Sequence, residues 1–233
     1  EPLIQAAKDG KVDAVRMLIK QGANIHAKLP DGSTPILIAA QYGHVDVVLA
    51  LAEAKCNINE TNGENPTPFL ISALHGQVSV AKALLDLKAC VNQEVRTGIS
   101  AMTLAVQQGH ISMIKFLVGS KANIEGISKS EEWTPMLIAA SKGRVPVIEL
   151  LAEFGADVNK TLKDGISPIY IASKHDRPNV VKALVRAKAN PNKPTVAGST
   201  PIHVAAQMGH AEVIKALAQA KADIDAPGGT ART

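Results

Sequence analysis

Two kinds of apolar run alternate along the chain. The short run "ILIAAQY" (36–42) is followed, after Gly43, by the longer amphipathic run "VDVVLALAEA" (45–54). In the longer run Val45, Val48, Leu51 and Ala52 recur at i, i+3, i+6 and i+7, the spacing of one helix face. Thr34 is a suitable N-cap for the shorter helix, and Pro35 fits its first position. Gly43 supplies a left-handed residue to end it. The polar stretch "NINETNGENP" (57–66) reads as a loop dense in turn formers, with Asn65 standing where Gly32 and Gly165 stand elsewhere. The pattern therefore predicts helix, corner, helix, loop.

The same pattern returns at a fixed interval. Pro2, Pro35 and Pro68 are 33 residues apart, Ala101 continues the series, Pro135 follows 34 later, and Pro168 and Pro201 resume the spacing of 33. Thr233 falls where the next unit would begin. A period of this size implies a solenoid of helix pairs, each unable to bury its apolar faces alone. The alanine pairs Ala39–Ala40, Ala139–Ala140 and Ala205–Ala206 allow neighbouring helices to approach closely. Pro146 and Pro178 stand at starts of second helices, where a missing N–H costs little. Asp176, in "KHDRPN" (174–179), replaces the corner glycine and predicts a strained turn.

These residues resemble the ankyrin repeat, whose signature combines T-P-L-H-x-A, an interhelical Gly-His and a Gly-Ala-Asp-Val-Asn step. "TPIHVAAQMGH" (200–210) matches the first two, and "GANIHA" (22–27) and "GADVNK" (155–160) match the third. The resemblance covers the whole chain as one domain of seven units, approximately 1–33, 34–66, 67–99, 100–133, 134–166, 167–199 and 200–233. It implies an all-α ankyrin-repeat solenoid of seven stacked helix-turn-helix units with β-turn, hairpin-like finger loops. The signature His survives only as His203; Ile4, Leu37, Leu70, Thr103, Leu137 and Tyr170 take its place, which implies a thinner polar network between turns. "EGISKSEEW" (125–133) carries one extra residue and predicts a bulged finger. Neither end carries the polar outer face of a dedicated cap, so a slice of a longer array or larger protein is expected.

Composition narrows the class. Hydrophobic residues make up 46% of the 233 positions and charged ones 20%, enough to bury a core, while aromatics are only 3%. The formal net charge of +4 is well short of what would argue for nucleic acid, and no partner of that kind is expected. No apolar run reaches the roughly 18 residues of a membrane helix. Two cysteines make no disulfide framework, which favours an intracellular, cytoplasmic location.

Candidate chemistry is sparse. No phosphate-binding Gly-rich loop, nucleophile elbow or metal-ligand pair is present, so no catalysis, cofactor or metal is expected. His44, His110 and His210 share one position, but units stacked at roughly 10 Å put His44 and His110 about 20 Å apart. They are expected to make local hydrogen bonds at the helix corners. Cys56 and Cys90 are out of step by one position and too distant to bridge, and buried or half-buried thiols are expected. Lys55, Lys88, Lys121, Lys188 and Lys221 replace one glycine of the signature. They form either a basic rail for phosphate or anionic lipid, or a set of cations favoured by helix C-termini. The sequons "NET" (59–61) and "NKT" (159–161) fall in a recurrent step and are read as coincidence.

Positions that vary between units are released from packing. In the ankyrin family two such sets face one concave groove. The residue before each "TP" step reads Ser33, Pro66, Ile99, Trp133, Ile166, Ser199, and Ile99, Trp133 and Ile166 are expected to form an aligned, solvent-facing apolar cluster. In the first helices Tyr42, Leu74, His75 and Met208 extend the contact, and Gln107, Gln108 and Lys142 supply hydrogen bonds. The expected function is a non-catalytic module that binds a protein or peptide as scaffold or recruitment domain. The alternatives are a targeting domain of a larger enzyme or channel, and a structural spacer.

Overall fold

The computed structural model describes residues 2–61, 66–92, 98–126 and 133–225. Asn65, the extra residue of the fourth loop and Thr233 lie outside them. The chain divides into two compact units, Glu1–Asn123 and Ile124–Thr233. The first holds the pairs α1 (Pro2–Lys8) and α2 (Val12–Lys20), α3 (Pro35–Tyr42) and α4 (Val45–Glu53), α5 (Pro68–Leu74) and α6 (Val78–Asp86), and α7 (Ala101–Gln108) and α8 (Ile111–Gly119). The second holds α9 (Pro135–Lys142) and α10 (Val145–Glu153), α11 (Pro168–Lys174) and α12 (Pro178–Arg186), and α13 (Pro201–Gln207) and α14 (Ala211–Gln219). Among the described residues there are no strands.

Odd-numbered inner helices pack on one another in sequence within each unit, and even-numbered outer helices do the same. The small residues at the inner contacts are sealed: Ala39, Ala40, Ala73, Ala105, Ala139, Ala140, Ala172 and Ala205 are fully buried. Ala206 departs from the expectation and is exposed, because no further inner helix covers α13 among the described residues.

Each inner helix begins where the "TP" step predicts. Thr67, Thr134 and Ser167 adopt extended backbone and accept the N–H three residues on with their side chains. Thr34 has the same backbone but makes no side-chain cap, and its buried hydroxyl has no hydrogen-bond partner among the described residues. Ser100 with Thr103, and Thr200 with His203, form reciprocal capping boxes. His203 Nδ1 accepts the Thr200 N–H at 3.2 Å.

Each outer helix ends in a Schellman turn. In α4 the Lys55 N–H reaches Ala52 O at 2.9 Å and the Cys56 N–H reaches Leu51 O at 3.1 Å. The residue that turns the chain is left-handed: Gly22 and Gly155 in two repeats, but Lys55, Lys88, Lys121, Lys188 and Lys221 in the others, with φ between 59° and 74°. The lysine series is thus a set of strained turn positions. Asp176, at φ 50°, is strained in the same sense at its corner, as its sequence context implies.

Candidate functional site: the finger and inner-helix face

The fingers are tight turns at the feet of the inner helices. In the first, the Gly32 N–H donates to Leu29 O at 2.8 Å and the Leu29 N–H to Ser33 O at 3.0 Å. Residues 162–166 and 195–199 repeat this pairing. Asp31 and Asp164 tighten their turns by accepting the N–H two residues on. In the second unit, adjacent fingers are joined by the Val196 N–H donating to Asp164 O at 2.7 Å. A Cβ on Gly165 would lie 2.8 Å from Val196 N, so that contact requires glycine.

Corners join repeat to repeat. His44 Nε2 donates to Lys8 O at 2.9 Å, Gln77 Nε2 to Gln41 O at 3.1 Å, His110 Nε2 to Leu74 O at 3.0 Å and His210 Nδ1 to Ser173 O at 3.0 Å. The histidines therefore bond at the helix corners, as expected, but their partners are carbonyls of the preceding repeat, 36 or 37 residues away. A second ladder follows the outer helices: Asn92, Asn159 and Asn192 side chains accept the N–H of Asn123, Asn190 and Asp223 at 2.9, 2.8 and 2.8 Å. Asn159 is thus engaged in packing, which accounts for one sequon by structure. Among the described residues no cluster of His, Cys, Asp or Glu is placed to hold a metal.

Finger and inner-helix residues share one concavity in the first unit. A cavity of about 370 Å³ is lined by Gln5 and Lys8 of α1, Leu29, Asp31 and Ser33 of the finger, and Ile38, Gln41 and Tyr42 of α3. Tyr42 is 45% exposed. Its ring stacks on His44 at 6.4 Å with an 8° interplanar angle, and the Lys8 ammonium lies 5.7 Å from its centre. A large aromatic is thereby presented to solvent in one held orientation.

The other candidates divide. Leu74 is half-buried; His75, Gln107, Gln108, Lys142 and Met208 are exposed. Partial desolvation at the helix end, reinforced by the nearby His110, lowers the His75 pKa and favours its neutral form. Ile99 in the first unit, and Trp133 and Ile166 in the second, are half-buried, not the fully solvent-facing cluster expected. Ile166 belongs to the paired stem of its finger, where its carbonyl accepts the Leu162 N–H. The exposed apolar residue is instead at the tip: Val196 is 79% exposed. An apolar residue inside the turn formers of "KPTVAGST" (193–200) was the signal for it.

The two thiols also divide. Cys56 is buried, and desolvation followed by the nearby Glu60 pushes its pKa up to about 11. Cys90 is exposed, contrary to expectation. It occupies the position where Asn57 and Asn190 make an Asx turn. A disulfide-exchange reagent at pH 8 is expected to titrate one thiol per chain rapidly, and the second only after unfolding. Cys90→Ser abolishes the rapid phase; a rapid phase surviving in C90S refutes the assignment.

Stacked helix pairs, turn fingers and corner hydrogen bonds define a helical repeat solenoid of the kind that presents surfaces instead of enclosing a reaction centre. The chain belongs to the ankyrin repeat family: the family model "Ankyrin repeats (3 copies)" matches residues 3–95, 87–162 and 154–227. Its fold is similar to the human ASB11 ankyrin repeat domain, with a TM-score of 0.83 at 24% identity, covering 96% of this chain and 99% of that one. It is also similar to the ankyrin repeat domain of Bcl-3, a member of the IkappaB protein family, with a TM-score of 0.78 at 22% identity, covering 94% and 98%. No curated protein matches it in sequence. Ankyrin repeat domains are generally non-enzymatic protein-interaction modules. No helix among the described residues is long and apolar enough to cross a membrane.

Proposed function

We propose that this chain is a non-catalytic, intracellular interaction module, one array of seven repeats that holds a protein or peptide partner against its fingers and inner helices. The concavity in which Ser33, Lys8 and the held ring of Tyr42 meet supports this reading most directly. A rigid, exposed aromatic beside polar groups has the character of a binding hot spot. Met208, Trp133, Ile166, Ile99 and Leu74 extend the apolar contact, and His75, Gln107, Gln108 and Lys142 its polar part. The role is recruitment or scaffolding.

Affinity capture with the purified chain, compared with Tyr42→Ala, Trp133→Ala and Met208→Ala variants of unchanged melting temperature, tests it. Loss of the captured protein in Tyr42→Ala by tenfold or more is expected. Equal capture by all three variants refutes the assigned surface and leaves the spacer role.

A further inference from the structure

The second unit has another concavity, on its outer helices. A cavity of about 600 Å³ has apolar walls from Val145, Val185, Ala216 and Ala220, with Lys182, Arg186, Asn179 and Gln219 among them. A second cavity of about 250 Å³ shares Val145 and Asn179 and adds Lys142, Arg177 and one carboxylate, Asp176. The two therefore adjoin each other along α10 and α12. Lys142, Arg177 and Lys182 make no ion pair among the described residues. Arg186 is paired with Glu149 at 2.9 Å on the surface, where such a pair is easily exchanged. Glu212, which lies near Lys182, is held by Lys215 at 2.7 Å.

The cations do not converge on a point. At about 1.5 Å of rise per residue, Arg177 and Arg186 are about 13 Å apart along α12. A row of that length, beside an apolar wall, complements a series of carboxylates better than one small anion. The channel lining contains no aromatic ring on which a nucleic-acid base could stack.

We propose that this channel is a second docking surface, for an acidic amphipathic segment of a partner protein. Its apolar side chains lie against Val145, Val185 and Ala216, and its carboxylates face Lys142, Arg177 and Lys182. Lys142 borders both this surface and the finger face; the variants that test the channel leave it unchanged, so the two surfaces are read out independently.

The probe is a fluorescein-labelled helical peptide of about 16 residues of Glu, Leu and Ala, long enough for a helix-in-groove contact, with a Gln-for-Glu control. Anisotropy with the full chain at low salt is expected to show binding of the Glu peptide only, weakened tenfold or more in Arg177→Gln/Lys182→Gln. The finger-face variant Tyr42→Ala is expected to bind it undiminished. Methyl NMR shifts at Val185 and Ala216 locate the contact, and Lys182→Gln/Arg186→Gln supplies a second pair should the first fail to fold. Equal binding of the Gln peptide, no loss in either folded pair, displacement by an oligo-thymidine of equal length, or no binding at about 1 mM each overturns the proposal.

Discussion

Replacing Lys55, Lys88, Lys121, Lys188 and Lys221 together by glycine is expected to stabilise the protein, although it removes five exposed cations. Each lysine turns the chain out of an outer helix at φ between 59° and 74°. A side chain with a Cβ costs about 1–2 kcal/mol in that conformation. Glycine relieves this but loses about 0.4–1 kcal/mol to the greater freedom of the unfolded chain. The helix-end attraction for a cation, about 0.3 kcal/mol at an exposed site, is lost as well. The balance is about 0.5 kcal/mol per site. The sites fall in different repeats, so their effects add, to about 2.5 kcal/mol in all. For a chain of this size that raises the melting temperature by about 5–10 °C.

The matching Lys→Ala set separates backbone from charge. Alanine removes the ammonium but keeps the Cβ, so no comparable gain is expected. Thermal melts of the two sets decide the matter. Equal or lower stability of the glycine set means the ammonium groups contribute more than the turns cost.

The lysines also show where sequence alone stops. The substitution of the signature glycine was visible, and so was its place past a helix end. Its backbone cost was not, because lysine carries no local mark of left-handed φ. The helix starts were more legible. Pro35, Pro68, Ala101, Pro135, Pro168 and Pro201 each open an inner helix, because proline or alanine after a hydroxyl residue suits that position wherever it occurs. The corner position of the histidines was legible for the same local reason, but their carbonyl partners 36 or 37 residues back were not. Partner atoms about 31 residues away were not: the side chain of Asn159 and the N–H of Asn190 meet only when two repeats are superposed.

The candidate surface follows the same division. Tyr42, Met208, His75, Gln107, Gln108 and Lys142 are exposed, because an inner-helix C-terminus is set by its own repeat. The exposure of Ile99, Trp133 and Ile166 depends on how each finger closes and lies on the next. That is why the position before "TP" proved half-buried and the tip residue Val196 proved open.

Phe69→Ala is expected to cost about 3–5 kcal/mol, and Phe154→Ala no more than about 1 kcal/mol. The two residues are chemically identical and differ in environment. Phe69 is the second residue of α5 and is 1% exposed; Phe154 caps α10 and is 37% exposed. Removing the first ring leaves a void in the packing of α5, whose neighbours are α3, α6 and α7. Close-packed interiors relax only partly around such a void. A loss of that size is a large fraction of a typical domain's stability. Because the stabilisation of a solenoid is carried between neighbours, the opening starts locally. Hydrogen exchange is expected to accelerate first in α3, α5, α6 and α7. Uniform acceleration across every helix of the first unit, or a cost for Phe154→Ala equal to that of Phe69→Ala, contradicts the neighbour-to-neighbour account. The same measurement supplies the control that the surface variants need. Tyr42→Ala and Met208→Ala remove exposed side chains, and their exchange profiles are expected to match the unmodified protein, so that any lost binding reports on contact and not on folding.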